Sequence, residues 1–533
     1  MRLLVVVLCL ESALGFKFLA YNPLFGSSHV NFMGKISDAL VEAGHEVVML
    51  ATQTDDAIKL TATKARVVHV PQCSASVADK QLLDDIVTNL WLANDPFTMI
   101  IQFHHMMTSW IDQCNVVDLH TLQSARENRD MGEALEKLSS LIAATIRHPG
   151  LLDALRAEKF DAAFSETLDP CGFGLFELLG IENRAVTQTM AIVDGTHYFT
   201  QTPANPAYVP TLMVAPSGEQ MPFLDRVRNT LSHLVMVIHN MNSMRRFEPV
   251  FRAADPNFDS LEKSMQSNSL VFMNSDPLLD FPAPRSSRVI DIGGISVSFG
   301  HSMLNETWSA ILDLRPTTVL LSFGTFVQSH AMPERYKMSI VEAFRSFPDV
   351  TFIWKYEKPE DRISEGVDNI IETTWLPQHD MLNDARLSVF ITHGGQGSVT
   401  EANTAGIPLI VIPVVTDQIR NANQVKRNGL GIVVDKESLD TPDSLIAAIK
   451  TMLEDDSYRK KALKTARMLA KKPFAARDIF VRNMEFLAEF GPLRQLDHYG
   501  AHLNFIQYYL VDVIAFLSLI VLMPLISFEQ AMN

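Results

Sequence analysis

Between residues 318 and 453 short apolar runs alternate with helical stretches, and that alternation permits few folds. Residues 318–322 (TVLLS), 351–354, 387–392 and 409–413 are apolar runs of strand length, too short for helices of their own. Between them, 333–347 repeats Tyr336, Ile340, Phe344 and Phe347 on one helical face. Residues 398–405 read as a helix closed by Gly406 and Pro408, and 417–428 and 441–453 as two more. Strands without polar alternation are buried on both faces, which requires a parallel sheet covered by helices. The predicted unit is a doubly wound α/β domain.

The other half opens in the same way. Residues 18–21 are a strand and 25–29 a loop. Residues 30–43 carry helical spacing (Phe32, Ile36, Ala39, Leu40) with Gly44 as a stop, and 47–50 are a second buried strand. Residues 80–150 lack the alternation and read as mostly helical. The stripe of Met, Phe and Trp from 90 to 110 reads as core, and it also suits a site that accepts varied apolar molecules. His104 and His105, within it, read as structural. A chain of 533 residues is too long for one core, so two domains are expected. The Pro- and Ser-bearing stretch at 282–287 is the expected linker.

Both ends look like targeting segments. Arg2, the apolar run 3–10 and the small residues at 13–15 have the order of an export signal, too short to anchor. Near the other end 513–528 is almost purely apolar, and with 505–511 it reaches the length that spans a bilayer. Signal and anchor together predict a single-pass type I protein with a lumenal body. The tail at 529–533 carries no Lys or Arg to support that orientation. The Asn305-Glu306-Thr307 sequon fits a lumenal domain. Without Cys9, the three remaining cysteines allow at most one disulfide, and no spacing among them suits zinc. A net charge of -16 argues against a nucleic-acid partner, and a homo-oligomer stays open.

Residues 375–418 carry the chemistry. Trp375 offers a ring to stack on a base, and Gln378 an amide for its edge or for ribose. His393 follows a strand, and Gly394, Gly395 and Gly397 let backbone approach a ligand. The next helix aims its free N–H groups at the same spot, an anion site to which a protonatable His393 adds a donor. Ser398 and Glu401 have the spacing of a capping box, and on spacing alone the cap is the preferred reading. Asp417 and Gln418 match vicinal sugar hydroxyls, with an N-cap Asp417 as the alternative. Strand, glycines, helix, then a carboxylate–amide pair: this order suits a nucleotide sugar. A nicotinamide-dependent dehydrogenase would need its glycine fingerprint near the first strand, and Gly26-Ser27-Ser28-His29 is not one.

WLPQ, FITHGG, GIPLIVIP and DQ in this stretch resemble the signature of the UDP-glycosyltransferases, specifically the membrane-bound UDP-glucuronosyltransferases of animals. The likeness covers nearly the whole chain, from the signal and the His29 loop through Asp169-Pro170-Cys171 and Ser322–Thr325 to the terminal anchor. It implies a GT-B fold: two Rossmann-like domains facing across a cleft, plus a C-terminal transmembrane helix. The implied division is signal 1–15, acceptor domain 16–285, UDP-sugar domain 286–500 and span 505–528. By resemblance, Trp375 and Gln378 contact uracil and ribose, while Thr325, His393 and the backbone through Gly394, Gly395, Gly397 and Ser398 hold the diphosphate. Glu401 looks like the ribose ligand, reversing the preference from spacing. Asp417 and Gln418 look like the sugar contacts.

His29 resembles the family's catalytic base, and an imidazole suits removal of a hydroxyl proton. Its acidic partner in the family is typically an Asp shortly before Pro-Cys. Here Glu166 holds the matching position, with Asp169 three residues on, and Glu166 is preferred. Gly397 stands where vertebrate members often carry Asn, and the lysine-rich retention tail is missing. The implied reaction is inverting transfer of a sugar, glucuronate first, from a UDP-sugar to a hydroxyl of a small lipophilic acceptor, without metal or further cofactor. The alternatives are a glucosyltransferase of the same family and a non-catalytic UDP-sugar-binding partner subunit. Residence in the endoplasmic reticulum is the expected location.

Overall fold

The computed structural model describes residues 15–532 except 25, 54–59, 61–62, 71–90, 93–149, 192–193, 213–217, 298–302 and 416. Residues 1–14 of the expected signal, Cys73, Cys114 and the apolar stripe beyond Trp91 and Leu92 lie outside the described residues.

The first sheet holds β1 (Lys17–Leu24), β2 (Glu46–Gln53), β3 (Arg66–Val70), β4 (Ala162–Glu166), β5 (Arg184–Gln188), β6 (Leu270–Met273) and β7 (Val289–Asp291). Their order is β3-β2-β1-β4-β5-β6-β7, all parallel. Alternate side chains of β1 feed two cores. Phe18 and Ala20 join Phe32, Met33, Ile36 and Leu40 of α1 (Ser27–Glu42). Leu19 and Tyr21 join Phe173 and Phe176 of α2 (Cys171–Leu178) and Phe247 and Phe251 of α3 (Phe223–Ala254). Period-two alternation on a covered sheet produces this division.

The second sheet holds β8 (Thr317–Ser322), β9 (Val350–Lys355), β10 (Ile370–Thr373), β11 (Leu387–Thr392), β12 (Leu409–Val411) and β13 (Gly431–Val433), in the order β10-β9-β8-β11-β12-β13 and again all parallel. Val319, Leu321, Phe352, Trp354, Val389 and Ile391 fill one core. Leu320, Ile353 and Phe390 fill the other. The expected strands and helices of this half are present, with ends moved by one or two residues. The alternation gave no warning of β10 and β13, of four and three residues, which close the two edges of the sheet.

Strand order reverses between β1 and β4 in the first sheet and between β8 and β11 in the second. Loops leaving the carboxyl ends of such a pair part to opposite faces and open a crevice, where ligands of this architecture bind.

Four expectations need correction or narrowing. The stretch at 282–287 is not the linker. It joins β6 to β7 inside the first sheet, and the chain enters the second sheet only at Thr317. The end of the predicted second domain also returns to the first. A helix at Ala476–Phe490 buries Phe480, Met484 and Leu487 against the first sheet, and the Phe480 ring meets Phe164 and Phe272 at 5.9 and 4.8 Å. Trp91 packs in a core, as its stripe was expected to, but in that of the second sheet, edge-on to Phe323. The segment expected to span a membrane is helical at Phe505–Tyr508 and Val511–Met532. Among the described residues no helix is long and apolar enough to cross a membrane, and side chains of the terminal helix are described only as far as Val521.

The returning helix gives the first check. Phe480→Ala should cost about 3–5 kcal/mol, the usual loss for a buried phenylalanine. Urea unfolding of the purified chain measures it, and a loss below about 1 kcal/mol would show that the helix does not carry the first core.

Candidate functional site

His29 stands at the crevice of the first sheet. The expected loop at 25–29 is shorter than predicted, because α1 already begins at Ser27, with extended Gly26 before it. The helical spacing read from the sequence starts at Val30, since the first turn faces the crevice and need not be apolar. Glu166 is the last residue of β4, the strand beside β1. Its two carboxylate oxygens each lie 2.8 Å from His29 Nδ1. Glu166 Oε1 also accepts the Thr189 N–H at 3.0 Å, which fixes the carboxylate. Only 13% of the His29 side chain and 3% of the Glu166 side chain remain exposed.

Asp169 faces elsewhere. It accepts the Cys171 N–H at 2.8 Å and the Tyr21 hydroxyl at 3.1 Å, at the start of α2, and burial raises its pKa. The acidic residue that orients His29 is therefore the longer Glu166, which reaches the ring from the strand end.

Burial works to lower the His29 pKa. The Glu166 charge and hydrogen bond, followed by the charge of Asp417, outweigh it and raise His29 above its ordinary 6.5. Asp417 belongs to the second sheet's half of the molecule, at the start of the helix Asp417–Arg427. Its charge acts on His29, so the two crevices face each other.

In the second crevice His393 follows β11, and the turn at 323–325 follows β8, with Thr392 and Ser322 in register. The imidazole is walled by glycine. A Cβ at Gly324 would stand 2.8 Å from its Cε1, and one at Gly395 would stand 2.5 Å from its Nε2. Gly394 has φ +86°, and a Cβ there would meet Val411 Cγ1 at 2.7 Å, so that position admits only glycine. Among the described residues nothing lies within 4 Å of a Cβ at Gly397, where the resemblance calls for Asn in vertebrate members. Burial, with the charge of Lys355 behind it, lowers the His393 pKa to about 4, against a hydrogen bond to the Ser322 backbone. At neutral pH His393 thus offers a neutral N–H, not the cation that a protonatable histidine suggested.

The helix Gln396–Ala405 opens directly after this turn, with no side chain capping it. Ser398 lies inside the helix, so the capping box does not form. Instead Gln378 Nε2 donates to Glu401 Oε2 at 2.7 Å and to Ser398 Oγ at 3.3 Å. Burial raises the Glu401 pKa. Trp375, two residues beyond β10, is 66% exposed, and Thr325 is exposed at the β8 turn. Gln418 is buried, and its Oε1 accepts the N–H groups of Val414 and Val415 at 2.9 and 3.0 Å. Asn421 donates to Asp417 Oδ2 and to the Gly394 carbonyl, both at 2.9 Å, tying the acid to the glycine turn.

Thr189, Asn421 and Lys355 were not singled out from the sequence. The first two act through hydrogen bonds to residues distant in the chain, Glu166 and Gly394, which leave no pattern in the sequence. Lys355 did leave a signal: it closes the apolar run of β9 at the carboxyl edge, where a charge has no packing role.

The family profile of UDP-glucoronosyl and UDP-glucosyl transferase matches residues 23–531. The Caenorhabditis elegans protein named "Putative UDP-glucuronosyltransferase ugt-48" is 27% identical over 523 residues, covering 96% of this chain and 94% of its own. UDP-glucuronosyltransferase 1-2 of Mus musculus is 28% identical over 387 residues, 72% of this chain and 71% of its own. Among solved structures, the calicheamicin glycosyltransferase CalG4 superposes with a TM-score of 0.56 at 15% identity, covering 90% of this chain and all of that one. The glycotransferase of kitacinnamycin gives 0.56 at 18% identity, covering 89% and 98%. These structures share the GT-B fold, as the two parallel sheets already indicated. The chain belongs to the UDP-glucuronosyl and UDP-glucosyl transferase family and is an enzyme that transfers a sugar from a UDP-sugar.

Proposed function

We propose that the chain is an inverting transferase in which His29 deprotonates a hydroxyl of a small lipophilic acceptor. The observation that carries this reading is the His29–Glu166 pair, 2.8 Å apart at the crevice of one sheet and in the field of Asp417 from the other. Nδ1–H donates to Glu166, so Nε2 is the nitrogen that takes the proton. The acceptor oxygen bonds to C1 of the sugar, the C1–O bond to UDP breaks, and the proton ends on His29. Inversion turns an α-linked donor into a β-glycoside.

The donor half follows from the second crevice. Trp375 stacks on uracil, Gln378 and Glu401 hold ribose, and Asp417 and Gln418 meet the sugar. Thr325, His393 and the N–H groups at the start of the Gln396–Ala405 helix take the diphosphate. Glucuronate is the preferred sugar. Its carboxylate calls for a cation. Arg245 is exposed on α3, and the Arg246 side chain lies outside the described residues, so glucose is kept as the second donor. The terminal helix supports a membrane anchor: Ile514, Phe516, Leu517, Leu519, Ile520 and Val521 are all half or more exposed, so apolar groups point outward on every side. Asn305 is exposed, leaving the sequon open to a glycan in a lumenal body.

His29→Ala should lower turnover of a phenol with either UDP-glucuronate or UDP-glucose by about 10²–10⁴-fold, with UDP affinity unchanged. Unaltered turnover would remove His29 from the reaction.

Protonated His29 cannot accept a proton, so kcat/KM should fall as pH drops through its raised pKa, above 6.5. Glu166→Gln removes the charge that raises it. The acid limb should then move to lower pH while the plateau falls by more than about tenfold. A limb that stays in place would dissociate Glu166 from the titration.

Gly394→Ala should cost about 1–3 kcal/mol in UDP binding or stability through backbone strain. Gly397→Ala, with open space at Cβ, should leave the UDP Kd within about threefold. Calorimetric titration with UDP separates the two.

A further inference from the structure

Lys355 is the one charged residue that closes a strand of the second sheet at the crevice, and the proton transfer to His29 makes no use of it. Four features define its setting. It ends β9, which neighbours β8, so its backbone lies at the carboxyl edge. Its Nζ donates to the carbonyl of Gly324, the glycine of the β8 turn. That glycine is the one whose Cβ position lies 2.8 Å from the His393 ring. Finally, among the described residues no carboxylate lies within ion-pair distance of Nζ. Glu357 acts on it only at longer range and accepts the His330 N–H at 3.2 Å instead.

An ammonium group has three donors, and one carbonyl satisfies one of them. A half-buried ammonium beside a carbonyl and a neutral imidazole lacks the anion that would offset its desolvation. The burial that lowers its pKa records the same imbalance, and so does the depressed His393 beside it. A stability role would be served better by an apolar side chain, since Val350, Phe352 and Trp354 of the same strand are packed in the core. The charge is therefore placed for an anion that enters the crevice.

We propose that Lys355 is the counterion of the donor diphosphate, held by the Gly324 carbonyl so that its remaining N–H groups meet phosphate oxygens beside His393. The assignment rests on the donor-site reading above. It selects the diphosphate and not a sugar carboxylate, because Lys355 is tied to the Gly324 turn and His393. The sugar end, at Asp417 and Gln418, lies at the start of the helix that follows β12, on the far side of β11. In the free enzyme burial, with the Lys355 charge behind it, holds His393 neutral. With the diphosphate bound, the charge of Lys355 is neutralised and the His393 ring N–H donates beside it. As the C1–O bond breaks, the charge growing on UDP falls on Lys355, which thereby stabilises the leaving group.

The test compares UDP with uridine, which lacks the phosphates, by calorimetric titration of the full detergent-solubilised chain. Wild type should bind UDP more tightly than uridine. Lys355→Met should weaken UDP by about 10–100-fold, the range of a hydrogen bond to a charged group, and leave uridine within about threefold. Retained uridine binding also shows that the variant is folded. Lys355→Arg should recover most of the UDP affinity, and Lys355→Gln, a second neutral variant, should repeat the selective loss if the methionine destabilises the strand. Equal weakening of UDP and uridine in both neutral variants, or no change in UDP, overturns the proposal. So does a loss confined to UDP-glucuronate with UDP itself unaffected, which would move Lys355 to the sugar carboxylate. Wild-type enzyme that fails to prefer UDP over uridine would instead remove the donor-site reading, and this inference with it.

Discussion

The site exists because the carboxyl edges of two parallel sheets face each other, and a buried ion pair holds them so. Arg420 Nη1 lies 2.5 Å from Asp280 Oδ1, with 2% and 3% of the two side chains exposed, and Arg420 Nε donates to the Pro210 carbonyl at 3.2 Å. Arg420 is one turn along the helix that begins with Asp417 and Gln418, while Pro210 and Asp280 come from the first half of the chain. Seven residues further, Arg427 pairs with Glu219 at 2.7 Å. A buried pair adds little net stability against an apolar substitute, yet removing one partner is costly. Its value here is register: it fixes the helix that begins with Asp417 and Gln418 against the half that carries His29. Gln396 Nε2, donating to the Asn274 carbonyl at 3.1 Å, makes a second tie at the glycine turn.

Two histidines face the same cleft and are driven in opposite directions. His29 has a carboxylate in contact and a second one across the cleft, so it is held ready to gain a proton. His393 has burial and a lysine beside it, so it is held neutral. Each bias suits the chemistry required of the ring. In the proposed reaction one accepts a proton from a hydroxyl, and the other donates a hydrogen bond without competing for protons. The residue type is the same, and the neighbours decide the chemistry. The glycines at 324, 394 and 395 shape the His393 side sterically, because any side chain there would collide with His393 or Val411.

Much of this was legible. The strands of the second half, the glycine turn after β11 and the position of His29 after the first strand could all be read from periodicity and spacing. Other features could not. The edge strands β10 and β13 are too short to show a period. The Ser398–Glu401 spacing suggests a capping box, and the neighbouring Gln378 bonds both side chains instead. The boundary at 282–287 looked like a linker because proline and serine mark any turn, including the β6–β7 connection within a sheet. The return of Ala476–Phe490 to the first sheet left no local sign, since an amphipathic helix does not record which core it will cover.

What the sequence determined by itself is the class of fold and part of the inventory of the candidate site. Apolar runs of strand length, glycines at a strand-to-helix turn and an early histidine are local facts, set by backbone sterics and hydrophobic burial. The tertiary structure alone decided the partnerships: Glu166 over Asp169 for His29, Gln378 for Glu401, Lys355 for the Gly324 turn, and the charge of Asp417 acting on His29. Each depends on side chains brought together by strand order and domain packing. An electrostatic interaction follows distance in space, which spacing along a chain does not contain.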